Sequence, residues 1–325
     1  MTASKINIGI DIGGTTIRTG FVTLEGKVIV QNSMKTDPSR GFDNIIGGII
    51  ENIKKMVSDL DILMSEVNSI GIGVPGTVNS EEGIVVFAPN IFWENIQVSE
   101  KIKEAFDIPI FIVQDSRASA WGEYLFGSGK GYKNIASITL GTGIGCGMIL
   151  DGKLFHGGLN TAGEFGHQIV VIDGHKCNCG RTGCLESYTA GLAIVREGKK
   201  IPGVEKLLQK SPEGIEVKDV FDLAKVGNAD AIKITDTVVS YLGMGLVNLI
   251  NLNSIELISI SGGISNAPDE LLFNPLKQFI QERAYSAISD KVKLVKSLLG
   301  DNAPMIGAAS LCQSVRKGGV KLNWP

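Results

Sequence analysis

The sequence predicts an α/β protein built from two related halves, and three observations carry that prediction. The opening segment "INIGIDIGGTTIRTGFVTLEGKVI" reads as strand, glycine turn, strand and hairpin. The segment "NIASITLGTGIGCGMILDGKLF" repeats the pattern about 130 residues later. After each copy, apolar residues recur at helical spacing, so strands alternate with helices as in layered α/β proteins. A ligand cleft between two such halves is the default expectation.

The elements follow in order. Ile6, Ile8 and Ile10 alternate on a first strand, and the alternation resumes from Ile17 to Val22 after the glycines. "EGK" turns the chain into a third strand over Val28 to Gln31. Ile45, Ile46, Ile49, Ile50, Ile53, Met56 and Val57 recur with a period near 3.6, which predicts a helix from Phe42 to Leu60. "VNSIGIGVPG" is a strand running into a turn, and "SEKIKEAFDI" a short amphipathic helix capped by Ser99. "PIFIVQD" is a strand, and "SRASAWGEYLFGSG" a helix stopped by glycine. The largely apolar "SYLGMGLVNLINLN" is a helix leading into the strand "IELISISGG", and a last helix runs from Pro304 to Arg316.

The 325 residues are 43% hydrophobic and 20% charged, a balance typical of globular domains with sizeable cores. The net charge of −3 comes from interspersed acids and bases with no basic stripe, so nucleic acid is not an expected partner. No secretory signal pattern precedes the first strand and no apolar run approaches membrane length, so cytoplasmic residence is expected, with no membrane partner. In a reducing compartment, clustered cysteines point to a metal before they point to disulfides. Cys146 and Cys312 stand apart and read as core fillers.

Three glycine motifs and one acid stand out. In "DIGGTT", Gly13 and Gly14 let the backbone approach a ligand, and their N–H groups can form an anion nest. Thr15 and Thr16 add hydroxyl donors, and Asp11 could position Mg2+ through water; a plain hairpin turn is the alternative. In "LGTGIGCG", Gly141, Thr142, Gly143 and Gly145 imitate a dinucleotide fingerprint, but a strand and hairpin follow where that fingerprint requires a helix. Two such turns together point to a nucleotide held across a cleft. In "ISGGISN", Gly262 and Gly263 either let an adenine ring and ribose lie against the backbone or make an ordinary turn. Asp115 follows an apolar strand, where α/β proteins face their ligand crevice; the alternative is that Asp115 or Ser116 caps the next helix.

The stretch "GEFGHQIVVIDGHKCNCGRTGCLES" is the densest in chemistry. Cys177, Cys179 and Cys184 have the spacing C-x-C-x4-C, and with His167 they make a closed Cys3His set suited to a structural zinc ion. His175 competes as the nitrogen ligand, and reduced cysteines in a turn remain the plain alternative. Glu164 and Glu186 flank the set. If metal folds the loop back, both carboxylates reach one region and accept hydrogen bonds from ligand hydroxyls; otherwise they are solvated surface acids.

Together, "IDIGGTT", "VPGTV", "APNIFW", "QDSRASAWGE", "LGTGIGCG", "GEFGH…CNCGRTGCLE" and "SISGGIS" resemble the ROK family of sugar kinases and repressors, in the family's order and spacing from about residue 8 to residue 310. The resemblance implies an actin-like, ribonuclease H-like ATPase fold with two lobes around a central interdomain cleft. Residues 1–116 with 304–325 would form the first lobe, and residues 117–303 the second, larger lobe with the zinc loop. It implies ATP phosphates cradled by Asp11, Gly13, Gly14, Thr15 and Thr16 and by Gly141, Thr142, Gly143 and Gly145, with adenosine at Gly262 and Gly263. Asp115 matches the family's catalytic base, taking the proton of a hexose 6-hydroxyl while Mg2+ bridges the phosphates. Glu164, His167 and Glu186 match sugar-contacting residues, His167 being a zinc ligand as well; Gly76 and Asn90 match positions that approach the sugar.

Two departures count. Glucose-type members usually carry Asn where this chain has Gln114, and the longer amide shifts a hydrogen-bonding group beside the sugar. The implied substrate is therefore glucose, a related hexose such as D-allose, an N-acetylated hexosamine or fructose. Repressor members carry an N-terminal winged helix-turn-helix; with the phosphate turn beginning at Asp11, none is expected here. An ATP-dependent hexose 6-kinase is expected, homodimeric as relatives commonly are, with a weakly catalytic sugar-sensing regulator as the rival.

Overall fold

The computed structural model describes residues 6–209 and 211–316. Residues 1–5 and 317–325, which the sequence assigns to the first lobe, lie outside the described residues. Strands β1 (Ile6–Ile12), β2 (Thr16–Thr23) and β3 (Val28–Lys35) precede helix α1 (Gly41–Asp59). Then come β4 (Val67–Val74), β5 (Thr77–Asn79), β6 (Ile84–Ala88), β7 (Trp93–Gln97), α2 (Val98–Lys103), β8 (Ile110–Gln114) and α3 (Asp115–Phe126). The second copy opens with β9 (Ile135–Leu140), β10 (Ile144–Leu150) and β11 (Lys153–Leu154). Helices α4 (Glu186–Thr189), α5 (Gly191–Gly198), α6 (Val204–Leu208), α7 (Val217–Lys225) and α8 (Ala229–Asn253) follow. The chain continues through β12 (Leu257–Ser261), α9 (Phe273–Arg283), β13 (Lys293–Lys296), α10 (Ala303–Ala309) and α11 (Leu311–Arg316).

The repeat read in the sequence is a repeat of topology. One sheet has the order β3-β2-β1-β4-β8 and another β11-β10-β9-β12-β13, with β5-β6-β7 a separate meander. In the first sheet β2 pairs antiparallel with β1, while β4 pairs parallel with β1 and with β8. In the second, β12 pairs parallel with β9 and with β13, and β10 pairs antiparallel with β11. Parallel strands send their carboxyl ends to one edge, where α/β proteins collect functional groups.

The chain divides into two compact units. The first holds Met1–Lys133, Gly147–Gly163 and Leu298–Pro325; the second holds Asn134–Cys146 and Glu164–Ser297. In the first unit every residue of β1 is buried, as expected of a strand covered on both faces. One cover is α1, whose Ile45, Ile46, Ile49, Ile53 and Met56 face the core. Another is α10, a helix of small residues that lies almost on the sheet. A Cβ at Gly71 would stand 1.7 Å from the Ala308 carbonyl oxygen, and one at Gly307 1.8 Å from that of Ala118. Glycine is required at both positions by this close approach. In the second unit α8 supplies the buried face of Val238, Leu242, Leu246 and Ile250. Its Gly245 makes room for Leu185 and Phe165, two apolar residues that flank the cysteine loop.

Several element boundaries depart from the sequence reading. Ser99 is not a cap: α2 begins at Val98 after Gln97, which makes no side-chain capping bond. The α8 helix starts eleven residues before Ser240, because Asn228 caps it and Ala231 and Thr235 extend the buried face into its polar half. The last helix breaks at Ser310 into α10 and α11. There the indole N–H of Trp121 donates to the Ser310 carbonyl at 3.0 Å, taking a group that a continuous helix would use. Among the described residues no helix is long and apolar enough to cross a membrane.

Candidate active site and metal centre

In the first unit, parallel pairing aligns Asp11 with Gly73 and Gly73 with Val113, so the ends of β1, β4 and β8 form one edge. Asp115 follows two residues after Val113 as the first residue of α3. The cap position is Gln114, which makes no capping bond, and Asp115 Oδ1 accepts the N–H of Ser116. Asp11 is buried, 3.5 Å from the Arg18 guanidinium, which also reaches Asp301 at 3.7 Å. Burial first, then the charge of Asp115, pushes the Asp11 carboxyl up to about 7, with Arg18 pulling the other way. Two carboxyls crowded at one sheet edge in this way are suited to a divalent cation.

The turn after β1 is closed by the Gly13 N–H donating to the Thr16 carbonyl at 3.0 Å, and Thr36 fastens it by donating Oγ1–H to the Gly13 carbonyl at 2.7 Å. Gly14 and Thr15 are exposed at its tip, and Thr16 begins β2. A Cβ at Gly14 would lie 3.9 Å from the Asn90 side chain, so these two sequence candidates are neighbours. Gly76 turns the chain out of β4 with φ +88°, packed so closely that a Cβ would fall 2.2 Å from the Phe87 carbonyl oxygen. Gln114 ends β8, and its side-chain Oε1 is buried with no hydrogen-bond partner among the described residues.

In the second unit the turn after β9 has one internal bond, the Gly141 N–H to the Gly143 carbonyl at 3.0 Å. Thr142 is exposed at its tip, and Gly145 already lies in β10. Strand β12 pairs beside β9, so Gly262 and Gly263 emerge at the same edge as this turn. A Cβ at Gly262, which has φ +84°, would sit 2.4 Å from the Leu140 carbonyl oxygen, whereas one at Gly263 would meet nothing within 4 Å. Glu186 opens α4, and its Oε2 accepts the Ile144 N–H at 2.8 Å.

The cysteine loop folds into a small hairpin. Lys176 bridges Thr182, the Cys177 N–H donates to the Arg181 carbonyl at 2.8 Å, and Gly180 turns the tip with φ +86°. The ligand atoms of His167, Cys177, Cys179 and Cys184 all lie within 4.8 Å of one another. Cys179 Sγ is 3.7 Å from Cys184 Sγ, and Cys177 Sγ is 3.7 Å from His167 Nδ1. Thiolates about 2.3 Å from a tetrahedral zinc ion stand roughly this far apart. Burial and the neighbouring sulfurs push the Cys184 thiol up to about 12. The four side chains fit a structural zinc ion. His175 is not among them; its ring packs on Tyr188 with centroids 5.0 Å apart.

Both flanking acids border this cluster. Glu164 Oε2 lies 3.7 Å from His167 Nε2, while the other ring nitrogen, Nδ1, is the one beside Cys177 Sγ, as in carboxylate–histidine–metal arrays. Glu186 Oε1 lies 3.8 Å from Cys177 Sγ.

Sequence reasoning missed four residues. Arg18 carried a signal: it is a cation in an otherwise buried strand, two residues from Thr16. Asp301 and Thr36 carried none, since each reaches the site from a distant segment. Arg117 was readable as a lone cation among small residues; it is buried and donates from Nη2 to the carbonyls of Asn160 at 2.8 Å and Ala162 at 2.9 Å. It thereby braces the loop that runs into Glu164. His156 in that loop is pushed down to about 4 by burial and by the Arg117 charge, so it is neutral at pH 7.

The whole chain resembles known sugar kinases. The chain is 35% identical over 321 residues to a glucokinase of Halalkalibacterium halodurans, spanning 96% of this chain and 97% of that one. It is 36% identical over 318 residues to a glucokinase of Thermotoga maritima, spanning 96% and 98%. Among solved structures, a ROK family glucokinase from Streptomyces griseus in complex with glucose and AMPPNP superposes with a TM-score of 0.77 at 32% identity, covering 94% of this chain and 98% of that chain. The α/β fold is the actin-like ATPase fold of these relatives. The model of the ROK family matches residues 7–315, almost all of the described residues, and the chain belongs to the ROK family.

Proposed function

We propose that the chain is an ATP-dependent hexose kinase that transfers the γ-phosphoryl group of ATP to the 6-hydroxyl of a glucose-type hexose, giving hexose 6-phosphate and ADP. The glucokinase relatives over nearly the full chain support the reaction class. The single observation that carries the chemistry is the pair Asp11 and Asp115 at one edge of the first sheet, close enough for one to raise the pKa of the other.

Asp115 is the base in this reading. Its carboxylate accepts the proton of the 6-hydroxyl as that oxygen forms a bond to the γ-phosphorus. The bond from the γ-phosphorus to the bridging oxygen breaks, and ADP leaves with those electrons. Asp11 would hold Mg2+ through water, and the ion supplies charge neutralisation for the phosphates. The turns at Gly13–Thr16 and Gly141–Gly145 offer backbone N–H groups to phosphate oxygens, and Gly262 and Gly263 a flat backbone to adenosine.

On the sugar side, Glu164 and Glu186 are acceptors for hydroxyl protons, with His167, Gly76 and Asn90 completing the contact set. The buried Oε1 of Gln114 supports a sugar hydroxyl donating beside Asp115, since an unpaired buried acceptor is costly. This longer amide favours a hydroxyl pattern other than that read by Asn, D-allose being one such hexose. Zinc on His167, Cys177, Cys179 and Cys184 would supply a fixed centre and no step of the reaction. The same reading makes the enzyme a cytoplasmic homodimer acting on small molecules, with no nucleic-acid partner.

An ADP-release assay over glucose, allose, mannose, fructose and N-acetylmannosamine tests the proposal. Sugar-dependent ADP release with at least one hexose is expected. No release with any of them, while the chain still binds sugar, would overturn it.

A further inference from the structure

We infer that Glu186 is a positioning residue for the nucleotide, through which the metal loop sets the shape of the glycine turn at Gly141–Ile144. The inference rests on the kinase reading above and deepens it: the residue matched to the sugar already has one oxygen committed elsewhere.

The turn cannot hold its own shape. It has one internal hydrogen bond, two glycines among its residues and an exposed tip. A glycine turn samples many conformations, and only some aim its N–H groups at phosphate. Two outside bonds restrict it. At one end the Gly191 N–H donates to the Gly141 carbonyl at 2.8 Å, and at the other the Ile144 N–H donates to Glu186 Oε2 at 2.8 Å. Both come from the six-residue segment Glu186–Gly191, so one short segment grips both ends of the turn. The carboxylate lies so close on the turn that a Cβ at Gly143 would stand 2.7 Å from Oε2.

That segment is itself placed by the metal loop. Cys184, two residues before Glu186, is a metal ligand, and Leu185 between them is fully buried against Gly245 of α8. The other oxygen, Oε1, faces Cys177 Sγ at 3.8 Å, a second ligand. The carboxylate thus spans from the Cys177 thiol to a turn amide forty-two residues away in the chain. Order in the loop thus becomes order in the phosphate turn, and the metal affects nucleotide affinity even when no sugar is present.

The test is a double-mutant cycle read by calorimetric titration of Mg2+ with a non-hydrolysable ATP analogue, without sugar, with zinc content measured on each sample. Glu186→Ala is expected to weaken analogue binding about tenfold, the usual scale for a charged partner lost from a backbone amide. Glu186→Gln, whose amide oxygen accepts the same N–H, should stay within about threefold of the unaltered chain. Cys179→Ser should lose zinc and weaken the analogue as Glu186→Ala does, and the double variant should be no weaker than either single one. Gly143→Ala, which forces the carboxylate off the turn without altering Glu186, should reproduce Glu186→Ala and serves if that variant does not fold. Unchanged affinity in Glu186→Ala or Gly143→Ala, or effects that multiply in the double variant, would overturn the inference alone. An unaltered chain that binds no analogue would overturn the kinase reading and this inference with it.

Discussion

The two glycine turns occupy the same place in two sheets of matching strand order, yet different groups hold them. After β1, the penultimate strand residue is Asp11, set against Arg18 and Asp115. After β9, the corresponding residue is Thr139, whose Oγ1 meets Ser261 Oγ at 3.3 Å. The first turn is tied by Thr36, one residue past the end of β3. The second is gripped by Glu186 and Gly191, from a segment that leaves a metal loop. One topology thus presents two sets of backbone donors. In the function proposed above, side chains then divide the labour, with charge and proton transfer in the first unit and metal-supported shape in the second.

The largest effect should come from the first unit. Asp115→Asn is expected to lower kcat by about 10²–10⁴-fold while leaving hexose affinity within a few-fold, measured by turnover and by equilibrium titration. A fully active Asp115→Asn protein would remove the base from the account. Asp11→Asn should lower kcat/KM for MgATP by about a hundredfold, because Asp11 is the residue proposed to hold the ion.

The same substitution has an opposite consequence for stability. The folded pKa of Asp11, about 7, exceeds its ordinary 3.8, so between those values the folded chain keeps a proton that the unfolded chain has released. The stability owed to that proton falls as the pH rises through this window and is gone above about 7. Without Mg2+, Asp11→Asn should therefore melt a few degrees above the unaltered chain at pH 8, with the difference shrinking toward pH 4. A variant that melts lower at pH 8 would contradict the burial argument.

The smallest effect lies in the second unit and is structural. Gly262→Ala puts a Cβ 2.4 Å from the Leu140 carbonyl at φ +84°. It should cost about 2–3 kcal/mol in denaturant unfolding. A neutral Gly262→Ala would show that the turn beside β9 is looser than described.

What the sequence disclosed and what it hid divide along the same line. Strands β1, β2, β9 and β10 were legible because their alternation is interrupted by glycines in the same way twice. The metal set was legible because cysteine and histidine are rare in this chain and fall in one stretch. His167 was named there with His175 as its competitor, and the structure brings the His167 ring to the sulfurs while His175 packs on Tyr188. The bond between Glu186 and Ile144, the bridge of Arg18 to Asp301 and the Trp121 contact that splits the last helix join segments far apart in the chain. No local pattern encodes such pairs. The meander β5-β6-β7 escaped for a different reason: three to five residues per strand are too few to establish a period.

The division of labour is tested most directly by removing zinc from the unaltered chain with a chelator, measuring kcat and hexose KM at saturating ATP, and then restoring the metal. A metal that only shapes the loop gives a KM raised about tenfold or more, a kcat within about threefold at saturating hexose, and recovery on zinc addition. A collapse of kcat with KM unchanged would place the metal in the chemistry and contradict the account.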